Sequence, residues 1–245
     1  MLKHFLWLAV LPLLFSCNNN GNTVQGNGMV VEDQRSLEDF SAINVEGSYE
    51  IVLVQGPAGL LIQTDSNLLS YIQTEVKRNT LRLSSTENLK GSDGIMIRIS
   101  YPELEKLTIG GAAKITGDGP ISGRDLEIEV KGAAMVELDV DVRKLELQMD
   151  GASSLNLNGT AQQLDARLEG AGNLAAYDLQ VRDASIHLSG IGGAQVFVTD
   201  NLQARVSGVG GIRYRGNPQN IQRKVSGVGS IEPASADEQE SAPAL

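Results

Sequence analysis

A self-similar unit of about 19 residues recurs along most of this chain, and no other feature restricts its possible folds as strongly. Each unit carries alternating apolar positions, a glycine followed by small residues, more alternating apolar positions and a polar turn. The marker glycines are Gly111, Gly132, Gly151, Gly170, Gly190, Gly208 and Gly227, in the contexts Gly-Ala-Ala, Gly-Ala-Ala, Gly-Ala-Ser, Gly-Ala-Gly, Gly-Ile-Gly, Gly-Val-Gly and Gly-Val-Gly. A period of this size is the signature of a solenoid, in which one unit cannot bury its own apolar face and stacks on its neighbours. Inside the unit the apolar period is two, as in Leu145-x-Leu147-x-Met149 and Leu126-x-Ile128-x-Val130. That alternation belongs to strands with one face turned inward.

Aligning the units predicts the rows of the core. One row is Leu145, Leu164, Ala184, Leu202 and Ile221; another is Met149, Leu168, Leu188, Val206 and Val225. Like residues stacked in rows, with coils about 4.8 Å apart, describe a parallel β-helix. At the corners glycine allows positive φ, and the small residue beside it keeps the corner narrow. A third row, Leu147, Ala166, Ile186 and Ala204, ends in Arg223, a charge where the core would continue. Arg223 therefore marks the last coil, a polar cap on an open stack.

Composition narrows the function. The chain is 41% hydrophobic but only 4% aromatic, so its core is built from Val, Ile, Leu and Ala. Twenty basic against thirty acidic residues give a net charge of -10, which excludes an electrostatic nucleic-acid binder. One cysteine forms no intrachain disulfide, and one cysteine with two histidines makes no Cys/His zinc cluster. No metal or other cofactor is expected.

The ends are addresses and tethers. Residues 1–16 carry Lys3, the apolar run Phe5 to Phe15 and then Ser16, a secretory signal too short to span a bilayer as a helix. Leu14-Phe15-Ser16-Cys17 resembles a bacterial lipobox, with Phe15 replacing the usual small or β-branched residue. Cleavage is expected between Ser16 and Cys17 and lipidation on Cys17, tying the protein to a membrane. Asn18 in place of aspartate points to the outer membrane, with the surface or periplasmic face left open. Residues 17–34 are polar and glycine-bearing, a flexible tether. Residues 233–245 are small and acidic, a disordered tail.

Between these lies one domain, 35–232, with regular repeats over 103–232 and irregular N-terminal coils over 35–102. Phe40-x-x-Ile43-x-Val45-x-Gly47-x-Tyr49-x-Ile51-x-Leu53 has the strand-glycine-strand form of a first coil, with Gly47 at its corner. A short helical turn at Asn67 to Ile72 and strands at Leu81-Arg82-Leu83 and Ile95 to Ile99 are expected to follow; they either continue the solenoid or form a separate capping sheet.

Phe40-Ser41-Ala42-Ile43-Asn44-Val45-Glu46-Gly47, Val54-Gln55-Gly56, Asp65-x-Asn67-Leu68-Leu69, Leu81-Arg82-Leu83 and the Gly-Ala-Ala repeats, taken in that order, resemble the putative auto-transporter adhesin family with a head GIN domain. The resemblance covers about residues 35–232. It implies a right-handed parallel β-helix in a bacterial envelope protein, often lipid-anchored, with no established catalytic activity and no functional residues to carry over.

The residues themselves offer little chemistry. His187 falls on the outward side of Ile186-His187-Leu188 and is expected to be a plain surface residue. Gly190-Ile191-Gly192-Gly193 and Gly208-Val209-Gly210-Gly211 resemble phosphate-loop fragments but lead into strands rather than helices. Glu127, Glu129, Glu137, Asp139, Asp141 and Glu146 are outward carboxylates that either solvate a face or bind calcium or act as acid and base on a polysaccharide. The expectation is a non-catalytic, lipid-anchored envelope scaffold or adhesin, with a glycan or an envelope or matrix protein as partner and weak self-association through the solenoid ends. The alternative is a β-helix polysaccharide lyase or hydrolase.

Overall fold

The structure, a computed structural model, describes residues 23–235; the signal segment with Ser16 and Cys17, and positions 236–245, lie outside the described residues. The N-terminal third contains β1 (Thr23–Gln25), β2 (Val30–Ser36), β3 (Ala42–Val45), β4 (Ser48–Gln55), β5 (Gly59–Asp65), a 3-10 turn at Leu69–Tyr71, β6 (Ile72–Lys77), β7 (Thr80–Ser85), β8 (Asn88–Lys90) and β9 (Met96–Tyr101). Then come β10 (Lys106–Ile109), β11 (Ala112–Gly117), β12 (Ile121–Val130), β13 (Ala133–Met149), β14 (Ala152–Leu168), β15 (Ala171–Leu188) and β16 (Ile191–Val206). The last are β17 (Val209–Arg215), β18 (Asn220–Val225) and β19 (Val228–Pro233). Among the described residues no helix is long and apolar enough to cross a membrane.

From β10 onward each strand pairs in parallel with the strand one coil later, which is a β-solenoid of about 19-residue coils. Long strands such as β13 wrap from one marker glycine to the next. The predicted rows hold: Leu145 pairs with Leu164, Leu164 with Ala184, Ala184 with Leu202 and Leu202 with Ile221. Up to the last coil their side chains fill the bore, with Leu145, Leu147, Ala166, Leu188, Ala204 and Val206 all 0–1% exposed, while Ile221 and Val225 at the end of the two rows are 39% and 45% exposed. The alternation of period two thus becomes a continuous apolar column that no single coil could bury.

The corner glycines have a different cause from the one their sequence context suggests. Only Gly47 among the eight has φ in the left-handed range, +137°. What the column needs is space: a Cβ on any of Gly111, Gly132, Gly151, Gly170, Gly190, Gly208 or Gly227 would collide with the backbone of the glycine one coil back, foremost its carbonyl oxygen. At one strand spacing of about 4.8 Å, inward-tilted corners leave no room for a side chain.

Residues 35–102 resolve into both alternatives at once. β3 and β4 pair in parallel with β10 and β11 on one side and with β7 and β9 on the other. The Phe40 to Leu53 coil is therefore not the first of the stack, because β7 and β9, later in sequence, lie beneath it. The stack is then closed by antiparallel strands, β2 and β9 on β5 and β6 on β7. Arg35 ties the two closing edges: it pairs with Asp33 at 2.8 Å, and its guanidinium donates to the Ile72 carbonyl and the Thr74 hydroxyl, both at 3.0 Å.

Two boundaries also shift. The segment 17–34 is not all tether, since β1 pairs with β8 and β2 begins at Val30. Edge strands gain their stability from backbone hydrogen bonds, which a polar sequence supplies as well as an apolar one. Asp65, fully buried, accepts from the Gly28 and Ser92 backbone amides and the Ser92 hydroxyl, pinning the β1–β2 turn. At the other end Pro233 still belongs to β19, and the Ala234 amide donates to the Tyr214 carbonyl at 2.8 Å.

The C-terminal end of the stack is open. β18 lies on β16 with every residue exposed. Arg223 sits above buried Ala204, its guanidinium 5.1 Å from the Tyr214 ring and hydrogen-bonded to the Tyr214 hydroxyl. A cation over an aromatic ring closes the row without asking for a further apolar layer.

A candidate binding trough along the solenoid

Two outward rows line a trough that runs parallel to the solenoid axis. The first is Asp125, Lys144, Gln163, Asp183, Asn201 and Asn220; the second is Glu127, Glu146, Asp165, Ser185, Gln203 and Gln222. The trough has two segments, of about 580 Å³ and about 400 Å³, that share Lys144 and Gln163 and so join end to end. Because the register is fixed from coil to coil, residues one period apart in sequence are neighbours about 4.8 Å apart here.

The N-terminal segment is charged, and its charges are largely paired, with Glu103 and Arg124 outside any ion pair among the described residues. Lys106 pairs with Glu127 at 2.7 Å and with Glu129 at 3.6 Å, Lys131 with Glu129 at 2.8 Å, Arg143 with Asp125 and Lys144 with Glu146. The hydrogen bond to Glu127 raises the Lys106 pKa, and the one from Lys131 lowers that of Glu129. These shifts describe groups held in their charged forms by ion pairs, not an acid poised to give up a proton.

The C-terminal segment is amide-rich, with Asp165 and Asp183 in its lining paired to Arg167 and Arg182. Asn220 donates to Asn201 at 2.8 Å, and Asn201 donates to Asp183, whose pKa that bond lowers. This ladder fixes one wall. On the adjacent row, two residues on along the same strands, Ser185, Gln203 and Gln222 make no side-chain hydrogen bond among the described residues, which leaves hydroxyl and amide groups open to whatever occupies the trough.

The predicted carboxylates do not converge. Glu127, Glu129 and Glu146 are in the ion pairs above, while Asp139 and Asp141 lie on the next face, accepting from Asn158 at 2.9 Å and Thr160 at 2.7 Å. Glu137 points outward from that same strand. No group of three or more His, Cys, Asp and Glu side chains able to hold a metal ion occurs among the described residues. His187 is exposed, its Nε2 3.2 Å from the Ser207 hydroxyl. The glycine runs after Gly190 and Gly208 enter β16 and β17, as their context indicates. The trough itself escaped the sequence reading, although the recurrence of Asn201/Asn220 and Gln203/Gln222 at one period was its signal.

The model of the family described as putative auto-transporter adhesin, head GIN domain, matches residues 39–218. The chain belongs to this family. No curated protein matches it. Among solved structures, a putative adhesin of Bacteroides fragilis is similar at 25% identity and TM-score 0.81, over 86% of this chain and all of that one. A putative adhesin of Parabacteroides distasonis is similar at 26% identity and TM-score 0.67, over 87% of this chain and all of that one. Another protein of that organism, described as a putative lipid binding protein, shares the fold at 23% identity and TM-score 0.69, again over 87% of this chain and all of that one. The head GIN family supports an adhesin-like binding role in the cell envelope or at its surface.

Proposed function

We propose that this head GIN protein is a non-catalytic binding scaffold, lipidated at Cys17 and held at the outer membrane, that grips an extended partner in its axial trough. The observation that carries the reading is the C-terminal trough segment, where Ser185, Gln203 and Gln222 present free hydroxyl and amide groups in register beside the Asn220–Asn201–Asp183 ladder. Rigid, repeated donors and acceptors suit a repeating polymer, and a glycan of an envelope or matrix is the partner class that fits. A lyase or hydrolase would need an acid and a base side by side and free to exchange protons, and of the trough carboxylates, Asp125, Glu127, Glu146, Asp165 and Asp183 are tied into ion pairs and Glu105 accepts from Ser41, which leaves Glu103 alone.

Protease shaving of intact cells expressing a tagged chain, run beside Cys17→Ala, tests the reading. Cleavage of the wild type on intact cells and loss of the variant from the membrane fraction support a surface-facing anchored scaffold. Protection until the outer membrane is breached removes the adhesive role, and retention of the Cys17→Ala protein in the membrane removes the anchor.

A further inference from the structure

The outward rows beside the marker-glycine corner change character together in the last three coils. The residue after the glycine is Ala133, Ala152 and Ala171 in the middle of the stack, then Ile191, Val209 and Val228, which are 65%, 51% and 74% exposed. Just before the corner, Asp150 and Glu169 give way to Ser189, Ser207 and Ser226. Two residues earlier the row runs Arg167, His187, Arg205 and Lys224, and Arg167 is paired with Asp165 at 3.2 Å. Neither Arg205 nor Lys224 has an ion pair among the described residues. Over residues 23–232 the same boundary divides the charge: residues 23–181 hold 24 acidic and 13 basic residues and residues 182–232 only 3 acidic and 6 basic, before Asp237, Glu238 and Glu240 of the C-terminal tail.

We propose that this corner docks the solenoid on an anionic phospholipid bilayer. The corner exposes Ile191, Val209 and Val228, β-branched side chains of a kind that enters the boundary between headgroups and acyl chains, and Arg205 and Lys224 lie four residues before Val209 and Val228 on the approach to the same corner, where phosphates would meet them. Each half alone is weak, and their coincidence in the same three coils singles out a membrane. A soluble acidic glycan would use the cations and leave the exposed Ile and Val unexplained; a second copy of the chain would use the apolar edge and leave the cations unexplained. The surface is distinct from the trough rows, so it goes beyond the binding role proposed above and does not depend on the lipid at Cys17.

The test is vesicle flotation with the unlipidated chain from Asn18 onward, which contains every described coil, on phosphatidylcholine vesicles with and without phosphatidylglycerol. The expected result is partition onto the anionic vesicles that falls with added salt. Arg205→Gln with Lys224→Gln weakens it about 30-fold, and Val209→Ser with Val228→Ser weakens it about 10-fold or more. All four side chains are exposed, so an unchanged melting curve shows that each variant is folded. Failure of the wild type to float overturns the proposal. So does loss with the cation pair alone together with displacement by soluble polygalacturonate, which assigns the surface to an acidic glycan. A dimer that dissociates on the valine substitutions, seen by light scattering, assigns it to a second copy. None of these outcomes touches Ser185, Gln203 or Gln222, so a failure here is separable from a failure of the trough reading.

Discussion

Gly151→Ala is the sharpest probe of why the corners are glycine. A Cβ on Gly151 would lie 2.8 Å from the Gly132 carbonyl carbon and 2.9 Å from that of Lys131, and closer still to the Gly132 oxygen. All of these are backbone atoms, so no rotamer change relieves the clash and the coils must separate. Separation strains the bonds that close the corner, Ala152 N–H to the Gly132 carbonyl at 3.0 Å and Gly151 N–H to the Val130 carbonyl at 3.3 Å. Overpacking at about 1–3 kcal/mol and two weakened hydrogen bonds at about 1 kcal/mol each give a loss of about 3–5 kcal/mol. For a chain of this size that is a fall in Tm of about 10 °C, followed by circular dichroism. Gly123→Ala, on an open outward strand position with no atom within 4 Å, is the control and is expected to be neutral or slightly stabilising. Gly227→Ala should cost less than Gly151→Ala, because no described coil lies above it to hold it down. Gly151→Asn separates the two explanations. Asparagine accepts a left-handed backbone readily, so it would be tolerated if φ were the reason, and it should be as damaging as alanine if the reason is space. A Gly151→Ala protein with wild-type stability, or a benign Gly151→Asn, would refute the argument.

Other outcomes follow from single features. Asp65 has its carboxyl pKa lowered chiefly by the Ser92 amide, with the Gly28 amide adding to it; its stabilising contribution is therefore complete above the ordinary carboxylate range and fades as pH falls through that range and below. Asp65→Asn should lower stability at neutral pH and flatten the acid limb of a pH titration of Tm. Replacing Arg223 with Leu removes the charge stacked on Tyr214 and offers an apolar row at the open end, so light scattering should show a shift toward larger species. Calcium at millimolar concentration should leave Tm unchanged, since a site with a dissociation constant a hundredfold lower would add about 2.7 kcal/mol.

The inward rows were legible because packing dictates them. Leu145 through Ile221 could be aligned by eye, since each must match its neighbour in size and polarity and the period is set by coil circumference. The order of coils at the N-terminal end was not legible. β5 and β6 run antiparallel to their partners, so the chain doubles back before β7 and β9 slide beneath β3 and β4, and a linear period carries no record of that reversal. β2 was hidden for another reason: its alternation of half-buried Val31, Asp33 and Arg35 is polar because it faces an edge, and the bonds that hold it are in the backbone. The trough was hidden because outward residues of strands are polar whatever they do.

That expectation also shows where function can be sought in a solenoid. Inward substitutions between coils are constrained by the bore, so the alternation of Ala166 and Ala204 with Leu147 and Ile186 in one row reports local volume and little else. Outward positions escape that constraint while the register still delivers them to fixed points about 4.8 Å apart. A change that is confined to consecutive coils and occurs in several outward rows at once is therefore not a packing adjustment. The shift from Asp150 and Glu169 to Ser189, Ser207 and Ser226 removes charge that costs nothing in water, and the shift from alanine to Ile191, Val209 and Val228 places apolar surface where water opposes it. Both changes run against solubility, and both become favourable only when this corner is taken out of bulk water.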